Sequence, residues 1–146
     1  MIITVDANIL FSALITPAGR LAKIISYPSL SAQLVSGHYL VEELTRHEDK
    51  IVRLSKRLKH EVLELQHSYL KNIHLYDETL IHERHWLEAE TLTNEVDHFD
   101  VSYVALTLQT GGILWTGDKK LIEHLRKMSF NNVVNTAELA NLLHIE

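Results

Sequence analysis

The chain has 146 residues, 46% apolar and 23% charged, a balance that suits one soluble domain, 1–146, with a full core. It has no cysteine and a formal net charge of −5, which excludes disulfides, thiolate zinc sites, cysteine nucleophiles and a bulk-basic nucleic-acid binder. No apolar run approaches the ~20 residues that cross a bilayer, and Asp6 breaks the opening run too early for a signal peptide, so a cytoplasmic protein is expected.

Ile2–Val5 is short, continuous and largely β-branched, the pattern of a strand buried on both faces of a parallel sheet. Ala7–Leu14 stays apolar and predicts a short helical turn. Thr16-Pro17-Ala18-Gly19 interrupts it, with Pro17 placed to open a helix over Arg20–Tyr27 that Pro28 ends. Ala32–Ser36 is a weaker second strand, and His38–His47 has helical periodicity. In Lys50–Leu70 the residues Ile51, Leu54, Leu58, Val62, Leu65 and Tyr69 recur at steps of three and four, predicting one long helix with an apolar stripe. Val52, Leu63 and Leu70 flank that stripe as surplus apolar residues, an expected interface. Ile73–Tyr76 reads as a short strand, Leu80–Leu92 as a helix, and Asp97–Gln109 as another that Gly111-Gly112 ends. Ile113–Thr116 is a strand, Lys119–Lys127 a helix and Asn132–Val134 a last short strand. Asn135 with Glu138 forms a capping pair ahead of Thr136–Leu143. Strands alternating with helices imply an α/β fold, a three-layer α/β/α sandwich around a parallel sheet.

Acidic residues punctuate this pattern in a particular order. Asp6 and Asp118 follow the two strongest apolar runs, at the sheet edge where open α/β folds bind ligands. Either could simply cap the helix after it. Asn8 lies two residues past Asp6, and Thr116-Gly117 put a hydroxyl and a flexible glycine beside Asp118. Asp97 and Asp100 fall at a helix start, where the dipole favours acids; capping explains one of them more easily than both. Glu43 is mid-helix between Val41 and Leu44, nearer the buried face than Glu42, although an exposed helical glutamate is the commoner case. Together they are the parts of a hard-cation site. Carboxylates suit Mg2+ or Mn2+, and one or two such ions can activate water for in-line attack on phosphorus.

Four stretches carry a family resemblance: Val5-Asp6-Ala7-Asn8-Ile9-Leu10, Val41-Glu42-Glu43-Leu44, Asp97-His98-Phe99-Asp100 with Val104-Ala105-Leu106, and Trp115-Thr116-Gly117-Asp118-Lys119-Lys120-Leu121. In that order they resemble PIN-domain nucleases, similar to the VapC-type ribonuclease toxins of bacterial toxin–antitoxin pairs, over nearly the whole chain. The resemblance implies Asp6, Glu43, Asp100 and Asp118 as the catalytic and metal-binding acids, with Asn8, Asp97 and Thr116 supporting. It implies a metal-dependent endoribonuclease, an RNA substrate, a homodimer and an antitoxin that blocks the site. Arg20, Lys119 and Lys120 are weaker candidates for substrate phosphates. Lys50, Arg53, Lys56, Arg57 and Lys59 are either a solvated helix face or a phosphate-contacting surface.

Two other functions compete. A haloacid-dehalogenase-type phosphatase also opens with a strand and an acid, but needs a second acid where Asn8 stands and usually another where Ile122 stands. A catalytically inactive RNA- or partner-binding module needs no acids, yet all four are present. Ten histidines invite zinc, but His82 and His85 have no matching second pair.

Overall fold

The computed structural model describes residues 1–27, 31–94, 96 and 100–145. β1 (Ile2–Val5) forms the centre of a five-stranded sheet with β2 (Gln33–Gly37), β3 (Ile73–Tyr76), β4 (Ile113–Trp115) and β5 (Val133–Val134), ordered β3-β2-β1-β4-β5. Every pairing is parallel; Thr4 lies opposite Val35 on one side and Leu114 on the other. The chain moves outward from β1 through β2 to β3, then crosses back to β4. The order therefore reverses beside β1, the position where open α/β sheets form a crevice at their carboxyl edge. The Ser36 hydroxyl donates to the Val5 carbonyl at 3.0 Å and ties β2 to β1 next to that crevice.

The helices, with α1 (Ala7–Ile15) the first, form the outer layers. α1 packs with α2 (Arg20–Ile25), α3 (Tyr39–Arg46), α4 (Glu48–Ser55) and α5 (Lys59–Leu70). α7 (Val101–Thr110) lies against β1, β2 and β4, with α6 (Glu83–Thr93) packed on it and α8 (Lys119–Lys127) beside α6. α9 (Thr136–Leu143) touches α2 and opens with the Asn135–Glu138 capping box. The result is the expected three-layer arrangement around a parallel sheet. Ile3, Val5, Leu10, Leu14, Leu106, Leu114 and Trp115 are almost wholly buried and fill it. Among the described residues, no helix is long and apolar enough to cross a membrane.

Several elements differ from their sequence pattern. The expected Lys50–Leu70 helix is two helices. Lys56 adopts a left-handed conformation (φ 58°) that ends α4, and Leu58 is extended at the start of α5. Ile51, Val62 and Tyr69 of the stripe are buried, while Leu54 and Leu58, at the break, are exposed. Val52 and Leu70 pack partly against the core and Leu63 is exposed. The Leu80–Leu92 segment is likewise divided: a 3-10 turn over Glu78–Leu80 precedes α6, whose N-cap is His82. Ala7–Leu14, expected as a turn, is a full helix. Gly19 rather than Pro17 caps α2. The described part of the expected Asp97–Gln109 helix begins at Val101, and Pro28, Asp97, His98 and Phe99 lie outside the described residues.

Candidate active site

Val5 and Trp115 end neighbouring strands in register, so the residues that follow them emerge side by side. Asp6 follows β1 and is 3% exposed. Its backbone N–H donates to the Trp115 carbonyl at 3.2 Å. One carboxylate oxygen accepts from the Asn8 amide at 3.3 Å, capping α1, and the other accepts from the buried Thr116 hydroxyl at 2.7 Å. The same Thr116 oxygen accepts from the Asp118 amide at 3.2 Å. Thr116 thus couples the two acids at the two strand ends.

A cavity of about 370 Å³ opens over this edge. Asp6 forms its floor. α1 contributes Asn8 and Phe11, three residues apart on one face. α3 contributes Tyr39, Glu43, Arg46 and His47, the spacing of one helical face. Asp100 and Tyr103 enter from the start of α7. Asp100 is buried at 8% exposure and makes no side-chain cap to α7, so capping does not explain its place. Glu43 is partly buried and Glu42 exposed, as expected from their neighbours.

Electrostatically the cavity is crowded with negative charge. Burial chiefly raises the Asp6 pKa above the usual carboxylate range; Asp118 adds to the rise, and the Thr116 and backbone hydrogen bonds oppose it. The Tyr103 hydroxyl donates to Glu43 Oε1 at 3.0 Å. Burial, followed by the charges of Glu43 and Asp6, pushes that phenol far above its ordinary range, so it stays a protonated donor.

The structure therefore brings three of the four expected acids, Asp6, Glu43 and Asp100, to one cavity. Asp118 stands at its margin rather than in its lining. Its carboxylate accepts from the Leu121 amide at 3.2 Å and caps α8, while its charge still reaches Asp6. Arg20, Lys119 and Lys120 are exposed and outside the lining. Asp97 lies outside the described residues. Tyr103 was not among the residues singled out from the sequence, although it sits one turn from Asp100. Arg46 and His47 were missed in the same way, one turn beyond Glu43.

Glu78 was also missed. From the turn after β3 its carboxylate accepts from the backbone amides of His38 (3.0 Å) and Tyr39 (2.9 Å), capping α3. It lies against Gly37, where a Cβ would collide with the carboxylate. Glu78 thereby fixes the helix that carries Glu43.

The donor chemistry suits a hard divalent cation: carboxylate oxygens, one of them on a buried acid whose ionisation is penalised by burial and by a neighbouring acid. Among the described residues, no three or more acidic or histidine side chains stand close enough together as placed to hold a metal ion.

No curated protein matches the chain. A chain in the crystal structure of VapBC2 from Rickettsia felis, bound to a DNA fragment from their promoter, matches at 13% identity with a TM-score of 0.67, covering 92% of this chain and 98% of that one. At that identity the likeness is one of fold. The PIN domain model matches residues 4–133, from the strand that delivers Asp6 to the one beyond Asp118, and the chain belongs to the PIN-domain family.

Proposed function

We propose that residues 1–146 form one nuclease domain that hydrolyses RNA internally with Mg2+ or Mn2+, and that it is the toxin of a type II toxin–antitoxin pair. The convergence of Asp6, Glu43 and Asp100 on one cavity at the carboxyl edge of the sheet carries this reading. These three, with Asp118 at the margin, would hold the cation. When bound, it supplies water activation and neutralisation of charge at phosphorus.

The chain's own groups position that chemistry. Thr116 and the Asn8 amide fix both oxygens of Asp6. Tyr103 holds Glu43 by one oxygen and orients its carboxylate in the cavity. Arg46, the cation in the lining, donates to the Tyr39 hydroxyl at 3.3 Å and is placed to meet a phosphate oxygen.

The test is cleavage of single-stranded RNA by the purified chain. Manganese should support it, EDTA should abolish it, and Asp6→Asn should lower it by orders of magnitude with an unchanged circular dichroism spectrum. Full activity of Asp6→Asn, or in EDTA, defeats the metal mechanism, and absence of any cleavage favours an inactive binding module.

An antitoxin and a second copy of the chain are the proposed partners. The likeness in fold to a VapBC2 chain and the exposure of Leu58 and Leu63 on α5 and its approach support this. Leu58→Glu should weaken self-association in sedimentation velocity; a wild-type monomer at high concentration rejects the homodimer.

A further inference from the structure

A second depression, about 320 Å³, adjoins the acidic cavity and shares Asn8, Phe11 and His47 with it. α1 and α4 form its walls, with Ile15, Ile51 and Leu54 as an apolar floor and Lys50 at its edge. The Phe11 and His47 rings meet edge to face, centroids 5.4 Å apart, at the boundary of the two spaces.

We propose that this depression seats the base of a single-stranded RNA residue flanking the phosphate held in the acidic cavity. The proposal rests on the nuclease reading above. Three observations carry it. The two spaces are neighbours that share Asn8, Phe11 and His47, so a strand with a phosphate in one can place an adjacent nucleotide in the other. The shared wall is aromatic, with His47 exposed and Phe11 partly buried, so Phe11 braces His47 from the edge and leaves ring surface for a base. The rim carries Lys50, exposed, beside an otherwise acidic centre. Lys50 stands apart from the rest of its basic run. Arg57, between the helices, lies 3.7 Å from Glu61 of α5, and Lys59 of α5 lies 3.5 Å from Glu48 of α4, so those two face carboxylates. Of that run, only Lys50 borders the depression.

The test is fluorescence anisotropy of a labelled single-stranded hexaribonucleotide with slowly hydrolysed phosphorothioate linkages binding to the full chain in manganese, so that the acidic cavity is neutralised and common to all variants. His47 makes no side-chain cap to α4, so His47→Ala removes the ring without removing a cap. It should weaken binding by about 5- to 150-fold, the range of one base–aromatic stack. His47→Phe should restore binding. Lys50→Gln should lower the slope of log K against log salt by about 0.7. A hexamer with an abasic residue at the seated position should bind the wild type as weakly as the intact hexamer binds His47→Ala, and should be indifferent to that substitution. Phe11→Leu should mirror His47→Ala, and a melting curve distinguishes lost stacking from lost fold.

Unchanged affinity and salt slope in His47→Ala and Lys50→Gln overturn the proposal. Manganese-dependent cleavage, read separately on a gel with the wild type, tells whether the nuclease reading has fallen with it. Cleavage that persists while the variants bind normally removes the base seat alone and leaves the depression to a protein partner.

Discussion

Asp6→Asn should make the metal-free protein more stable, although it removes a charged hydrogen-bond acceptor. Burial raises the Asp6 pKa above its unfolded value of about 3.8, so the folded chain holds this proton more tightly than the unfolded chain does. Stability is therefore lost as pH rises from the unfolded carboxylate range through the folded pKa of Asp6. Asparagine removes the charge at nearly the same volume and remains a good cap for α1. Against this, the Thr116 hydroxyl loses a charge-assisted partner. A bond to a charged group contributes about 1.5–3 kcal/mol and a neutral one about 0.5–1.5, so the loss is about 1 kcal/mol. Because burial outweighs the hydrogen bonds in setting the Asp6 pKa, the net gain should be on the order of 1 kcal/mol, or about 2–4 °C in Tm. Thermal and urea unfolding at pH 7.5 in EDTA measure it, and the gain should vanish near pH 3. Manganese at a hundred times its Kd should stabilise the wild type by about 2.7 kcal/mol and the variant far less, reversing their order. A less stable Asp6→Asn in EDTA at neutral pH would refute the claim that burial dominates at this residue.

Tyr103→Phe should keep the packing of α7 but release Glu43, lowering RNA cleavage about tenfold, equivalent to about 1.4 kcal/mol, while shifting stability by no more than about 1 kcal/mol; initial rates and melting curves read the two effects separately. Gly37→Ala should displace the Glu78 carboxylate from the α3 amides and cost about 1–2 kcal/mol in urea unfolding, as should Glu78→Ala. Combined, the two should cost little more than Glu78→Ala alone, and additive losses would show that Gly37 acts through something other than this cap. Lys56→Gly should stabilise by about 1 kcal/mol, seen as a higher urea midpoint at constant m-value, because Lys56 is exposed and left-handed; a lower midpoint would show that its side chain matters more than its backbone.

The strand ends were legible because the chain announces them twice. Ile2–Val5 and Ile113–Trp115 are apolar runs too short for helices, and each is followed closely by an acid. Period and punctuation thus agree there. The break between α4 and α5 was hidden because lysine, not glycine, takes the left-handed position. Leu54 and Leu58 also continue the helical spacing through a point where the chain turns. Tyr103 and Glu78 were hidden for a different reason. Their hydrogen-bond partners lie 60 and 39–40 residues away, and a tyrosine in an apolar helix or a glutamate in a turn reads as ordinary until those partners are placed. Asp118 reaches Asp6 through its charge and through Thr116 rather than as part of the cavity lining. Its position after β4 is as expected, and one of its carboxylate oxygens caps the first turn of α8, a contact the spacing alone does not reveal.

The bond between Thr116 and Asp6 joins residues 110 apart in the chain. A nascent polypeptide emerging from the ribosome exposes Asp6 and Glu43 before α7 and β4 have been made. Until β4 docks beside β1, Asp6 lacks its Thr116 donor and the cavity lacks the wall that Asp100 and Tyr103 supply. The acidic centre is thus assembled late: a polypeptide cut short before residue 100 carries Asp6 and Glu43 but lacks Asp100, Tyr103 and the Thr116 donor.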